Sequence, residues 1–219
     1  MHVHNRAASA RWAGARYCLL ETVRQFGAEK LAEAGEADDV RTRHLQFYLA
    51  LAECADPALR GPDQKRWVQR VNAEHDNLRV ALAWSHGHAG GADNELRLAG
   101  ALTWFWLLRG HWTEGRRWLE AALEREAQGR PPSIAKALHG PAFFAWRHND
   151  IPKAQILGER GLALAKGLDD RESLIYLLID LGITAIRRAD LGGAEARFGE
   201  TVSQARSKGD PWFEEMGSK

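Results

Sequence analysis

Three segments, Gly115–Leu123, Ala154–Leu162 and Ala194–Val202, repeat one helix pattern 39 and 40 positions apart. Each opens on a small residue and carries an aliphatic one eight positions later. A turn-like tripeptide precedes each: Arg109-Gly110-His111, His148-Asn149-Asp150 and Arg188-Ala189-Asp190. A fixed period of this size reads as one helix pair per copy, which cannot bury its apolar face alone and must stack on its neighbours. The pattern therefore predicts an all-α fold, a right-handed helical-repeat solenoid preceded by a helical connector. Solenoids usually work by binding.

The repeats are expected over 89–210, as pairs at about 93–130, 133–168 and 170–208. Ser133, after Pro131-Pro132, reads as a helix N-cap, and Pro152 is tolerated in a first turn. Pro141, inside a first helix, predicts a kink. Residues 16–88 read as the connector. A helix over 21–34 would turn Val23, Phe26 and Leu31 inward, and one over 38–55 would bury Val40, Leu45, Tyr48, Leu49 and Ala52 before Asp56-Pro57 ends it. Trp67, Val71, Leu78 and Leu82 then form one stripe of a long helix to about Ser85, broken by Gly87, Gly90 and Gly91. Residues 1–15 read as a poorly ordered leader. Residues 211–219 read as the truncated start of a further repeat, because Gly209-Asp210-Pro211-Trp212 resembles the earlier breaks; truncation there would leave an apolar edge.

The composition removes several classes of function. Thirty basic against 29 acidic residues give a net charge of +1, so no global field draws the chain to nucleic acid or an anionic membrane. Two cysteines, Cys18 and Cys54, both among apolar neighbours, are too few for a disulfide framework; reduced, buried thiols and a cytoplasmic location fit better. No apolar run approaches the roughly 20 residues of a membrane span.

Candidate chemistry is sparse. No G-x-x-x-x-G-K-[ST] run is present to cradle nucleotide phosphates, so no cofactor is assigned. His86-Gly-His88 is the tightest histidine pair, but no Cys or carboxylate stands at ligand spacing, and no metal is assigned. Glu74-His75-Asp76 suggests an acid–base group, yet adjacent helical residues point apart. Arg109, Arg116 and Arg117 alternate with Glu114 and Glu120 as on a solvated helix face. The chain reads as no enzyme, with no catalytic residue.

The small contact residues, Gly115, Ala154 and Ala194 in the second helices and Thr103, Ala142 and Gly182 in the first, resemble those of tetratricopeptide repeats, although that unit has about 34 residues. A second resemblance covers most of Arg16 to Leu123. The runs RYCLLETVRQFGAEKLAEAGE, LRGPDQKRWVQRVNAEHDNLRVALAW and LTWFWLLRGHWTEGRRWLEAAL are similar to the junction between a winged helix and helical repeats in bacterial STAND-type predicted ATPases, many of them LuxR-type transcriptional regulators. The resemblance implies a winged-helix remnant within 16–88 and a sensor or scaffold role for the repeats, without the ATPase.

Tetratricopeptide-like geometry would place Arg97, Trp104, His139, Phe143, Trp146, Tyr176, Ile179 and Ile183 on the concave side. Such a groove suits an extended peptide or a partner helix, with Arg97 and His139 as polar handles. The same stripe also fits simple core packing, and spacing does not separate the two. Trp67, Trp84, Trp106, Trp112 and Trp118 are assigned to packing between helices. The partners expected are a protein or peptide, missing domains, or a small inducer; nucleic acid is the expectation only for the alternative, a DNA-binding regulator acting through the winged-helix remnant.

Overall fold

The computed structural model describes residues 20–208. The expectations for 1–15 and 211–219, and for Cys18, lie outside them. The described residues form an all-α fold without strands: α1 (Glu21–Glu33), α2 (Ala37–Ala58), α3 (Gln64–Ala73), α4 (His75–Gly87), α5 (Ala92–Arg109), α6 (Trp112–Glu124), α7 (Pro131–Arg147), α8 (Ile151–Leu168), α9 (Arg171–Arg187) and α10 (Leu191–Lys208). The pairs α5–α6, α7–α8 and α9–α10 lie over the spans 93–130, 133–168 and 170–208. Within each pair the helices pack on one another, and first helices also stack side by side, α5 on α7 and α7 on α9.

The turns show why the period holds. Gly110, Asn149 and Ala189, the middle residues of the three tripeptides, take left-handed φ values of 75°, 64° and 60°. In each turn the next residue's N–H reaches back five positions: His111 to the Trp106 carbonyl, Asp150 to Ala145, Asp190 to Ala185. This is one helix-ending hydrogen-bond pattern used three times. Asp150 and Asp190 then cap the following helices by accepting from the Lys153 and Gly193 N–H groups.

Close approach explains the small residues. A Cβ on Gly115 would lie 2.8 Å from the Trp106 ring, and one on Gly182 would lie 2.7 Å from Phe198. The largest core cluster runs from Leu45 of α2 through Phe105 and Trp106 of α5 to Phe144 of α7, with Trp67 inside it and Trp84, Trp112 and Trp118 packed against it. The helices α2 and α4 pack on each other and on α5, as a repeat pair would.

Several local expectations are corrected. The stripe Trp67, Val71, Leu78, Leu82 is buried, but on two helices rather than one: the chain breaks at Glu74 (φ −104°, ψ 8°), whose carboxylate accepts from the Tyr48 hydroxyl and the Asn77 amide. Val23 and Phe26 are exposed, since among the described residues α1 meets little but α2. Pro57 lies within the last turn of α2, which continues to Ala58. Cys54 is exposed, because it stands off the α2 face that buries Leu45, Leu49, Ala52 and Asp56. Ser133 is not the N-cap of α7; Arg130 is, and the Ser133 hydroxyl donates to Asp93 (2.7 Å). Pro141 does lie inside a first helix, as read from the sequence, and α7 runs on past it to Arg147.

A pH dependence follows from α2 and α4. Burial pushes His75 below its ordinary value of 6.5, against the nearby Glu114 carboxylate at 3.3 Å; Arg79 and His111 push the same way as burial, and Asp76 opposes it. Burial likewise lowers His44, opposed by a hydrogen bond with Asn77. A histidine pKa lowered in the folded state means that the unfolded chain takes up the proton first. The stabilising contribution is therefore present above about pH 6.5 and lost as pH falls through the lowered folded values. Melting temperature should fall between pH 7.5 and 5, and His75→Asn should flatten that decline; an unchanged slope in the variant would remove His75 from the account.

Candidate functional site

The repeat stacks its first helices so that one face of α5, α7 and α9 forms a continuous wall. Arg97 and Trp104 come from α5, His139, Phe143 and Trp146 from α7, and Tyr176, Ile179 and Ile183 from α9. The structure brings the aromatic members together. The His139 ring lies 5.1 Å from Tyr176 and 6.2 Å from Trp104, Trp104 meets Tyr176 edge-on at 5.7 Å, and Phe143 meets Trp146 at 4.8 Å. His139, Trp146 and Tyr176 are buried; Trp104, Phe143, Ile179 and Ile183 are half-buried. The wall is a packed aromatic layer with a partly open surface, and Ile179 joins the Tyr176 side while Ile183 joins Trp146 and Ala154.

Asp180, unremarked in the sequence reading, ties this wall together. It is 2% exposed, and its two carboxylate oxygens accept from α7: Oδ2 from His139 Nδ1 (2.7 Å), Oδ1 from Trp146 Nε1 (3.2 Å). A carboxylate only accepts, so the imidazole proton sits on Nδ1. The one signal available was an acid within the apolar run from Leu174 to Ile183.

Beside the aromatic layer lies a charged one. Arg60 pairs with Asp56 (3.3 Å) and Glu172 (2.6 Å), and lies 5.0 Å over the Tyr176 ring. Lys136 also pairs with Asp56. Burial works against the Arg60 charge, but Asp56, Tyr176 and Glu172 together hold its pKa above the ordinary value. Burial pushes the Tyr176 phenol upward, with Arg60 opposing, so the ring stays neutral. Arg97 is held by Glu53 (2.7 Å), and Arg130 by Asp93 (3.2 Å). Above these groups, among the starts of α5, α7 and α9, opens a cleft of about 500 Å³. A smaller cavity of about 20 Å³ adjoins it, sharing Lys136, Glu172 and Ser173 as walls.

The other sequence candidates do not converge. His86 bonds Glu95 (2.8 Å) while His88 stacks on Trp84 (4.8 Å). In Glu74-His75-Asp76, Glu74 faces Tyr48, His75 faces Glu114 and Asp76 pairs with Arg79. Arg116 pairs with Glu120 (3.0 Å), as expected of a helix face, and Arg117 lies over Trp118. Glu114 instead reaches Arg79 of α4 (2.7 Å).

The wall is packed and cross-tied, with a polar cleft beside it, and comparison with known proteins gives its setting. The chain is similar to transcriptional regulators. It is 35% identical over 206 residues to "Putative HTH-type transcriptional regulator Rv0890c" of Mycobacterium tuberculosis (strain ATCC 25618 / H37Rv) and to "Putative HTH-type transcriptional regulator Mb0914c" of Mycobacterium bovis. In each case the match covers 90% of this chain and 23% of the relative. The chain thus spans less than a quarter of the length of the curated relatives it matches. No family model matches it. Among the described residues no helix is long and apolar enough to cross a membrane.

Proposed function

We propose that this chain is a non-catalytic, cytoplasmic, tetratricopeptide-like portion of a STAND-type transcriptional regulator, binding a protein, peptide or inducer along the α5–α7–α9 wall. The observation that carries it is the cross-helix assembly of Trp104, His139, Tyr176 and Asp180, which makes the shape of this wall depend on how three repeats sit together. A ligand that engages all three would bias that arrangement and pass it on. The cations of the wall support binding to something other than phosphate backbone: Arg60, Arg97, Arg130 and Lys136 are each already held by a carboxylate.

A second reading has equal or better support from the relatives, whose printed names specify HTH-type regulators: contact with DNA through the winged-helix remnant expected within 16–88. One titration series separates the two. For the scaffold reading, the full chain should leave a duplex DNA ladder unshifted at 50 mM salt, and Trp104→Ala/Phe143→Ala should abolish capture of the chain's cognate regulator domains at a temperature where the variant, destabilised by the loss of two packed rings, is still folded. A salt-sensitive shift of duplex DNA by the chain would overturn that reading in favour of the DNA one.

A further inference from the structure

The buried imidazole of His139 has one edge that the fold leaves unused. Asp180 holds Nδ1, whereas Nε2 is buried and, among the described residues, accepts no hydrogen bond. That is a costly arrangement for a ring only 7% exposed. The imidazole forms part of the wall of the 20 Å³ cavity, together with Trp104, Tyr176, Arg60, Lys136 and Glu172. With Nδ1 turned to Asp180, Nε2 is the polar edge left for this space. The cavity admits one small polar group, the size of a water, and a donor reaches Nε2 from it by a small shift of the side chains that now cover that atom. Behind it the 500 Å³ cleft has the volume of a small-molecule site.

We propose that cleft and cavity together bind a neutral small molecule carrying a hydroxyl, whose O–H donates to His139 Nε2 while its body lies in the cleft. Three features set this chemistry. The orphaned atom carries a lone pair whenever the ring is neutral, because Asp180 fixes the proton on Nδ1; it therefore selects a donor. The charges around it are already matched, Asp56 and Glu172 against Arg60 and Lys136, so the lining offers no net field for an ion. The flanking rings of Trp104 and Tyr176 offer apolar faces to the carbon attached to that hydroxyl. The site is built from α5, α7 and α9 with the end of α2, and it stands whether or not the wall also binds a partner domain.

Asp180→Asn supplies a test that packing alone does not mimic. The Trp146 indole N–H can only donate, so the new amide would keep its carbonyl oxygen there and turn its NH2 toward His139 Nδ1. That moves the imidazole proton to Nε2 and reverses the preference of the site from donor to acceptor.

The probes are benzyl alcohol and anisole, isomers of the same formula, of which only the first has a donor. They are titrated into the full chain labelled with 15N-histidine. For the wild type, benzyl alcohol should move the His139 Nε2 resonance saturably and bind about tenfold more tightly than anisole, the worth of one buried hydrogen bond. In Asp180→Asn the ratio should fall toward one. Should that variant not fold, the wild-type nitrogen shifts still decide: Nδ1 must read as protonated and Nε2 as the atom perturbed. Equal binding of the isomers, no saturation by either up to tens of millimolar, or an unchanged preference in the folded variant would each overturn the proposal and leave the cavity as a water site.

Discussion

Arg125→Ala should lower the unfolding free energy by about 3–5 kcal/mol, the range for stripping one partner from a buried ion pair. Glu95 is fully buried on α5, and its carboxylate is held by Arg125 (3.0 Å) and by His86 (2.8 Å). The same guanidinium donates to the carbonyls of Ser85, His86 and His88 at the end of α4, groups that a helix terminus leaves without intrahelical partners. One side chain, placed just beyond α6, thus fastens the connector to the first repeat. Arg125→Lys keeps the charge but loses the fork of donors, so it should fall between wild type and alanine. Urea titrations of the three proteins, compared at constant m-value, measure this. A loss below about 1 kcal/mol for the alanine variant would mean that water reaches Glu95 once the guanidinium is gone.

This fastening also shows where the sequence was readable and where it was not. Periodicity reports which faces are apolar, and it located the three helix pairs, whose turns share one left-handed conformation on three different residues, Gly110, Asn149 and Ala189. It does not report where an apolar face finds nothing to cover it. Val23 and Phe26 occupy a regular helix yet remain exposed, since among the described residues α1 packs on little besides α2. Nor does it report breaks made by tertiary hydrogen bonds. The interruption at Glu74 involves neither glycine nor proline, and the carboxylate is met there by Tyr48, 26 positions earlier.

Charged residues were the least legible. Glu95 and Asp180 look like ordinary solvated acids in a helix, but the stacking of neighbouring repeats buries both and supplies their partners, 30 positions away for Arg125 and 41 for His139. The aromatic stripe was legible, since Trp104, His139 and Tyr176 do meet. Its internal ties were not, because they depend on which rotamers let Asp180 reach α7.

Replacing Trp106 should be as costly as breaking the Glu95 pair, for a different reason. Its side chain is fully buried, and the ring lies against the backbone of Gly115, at the contact that first revealed the repeat. Trp106→Ala should cost about 3–5 kcal/mol through lost burial and the cavity left behind. Yet its indole N–H is buried and donates to nothing, a penalty the wild type already carries. Trp106→Phe removes that penalty while keeping most of the ring, so it should cost no more than about 1–2 kcal/mol. Gly115→Ala forces a methyl to within 2.8 Å of the indole and should cost about 1–3 kcal/mol by overpacking. In the Trp106→Ala background the same methyl enters vacated space, and its effect should shrink to zero or become stabilising. Chemical denaturation of the four-member cycle reads the coupling directly. Additive effects would show that Gly115 is small for a reason other than the close passage of α5 and α6.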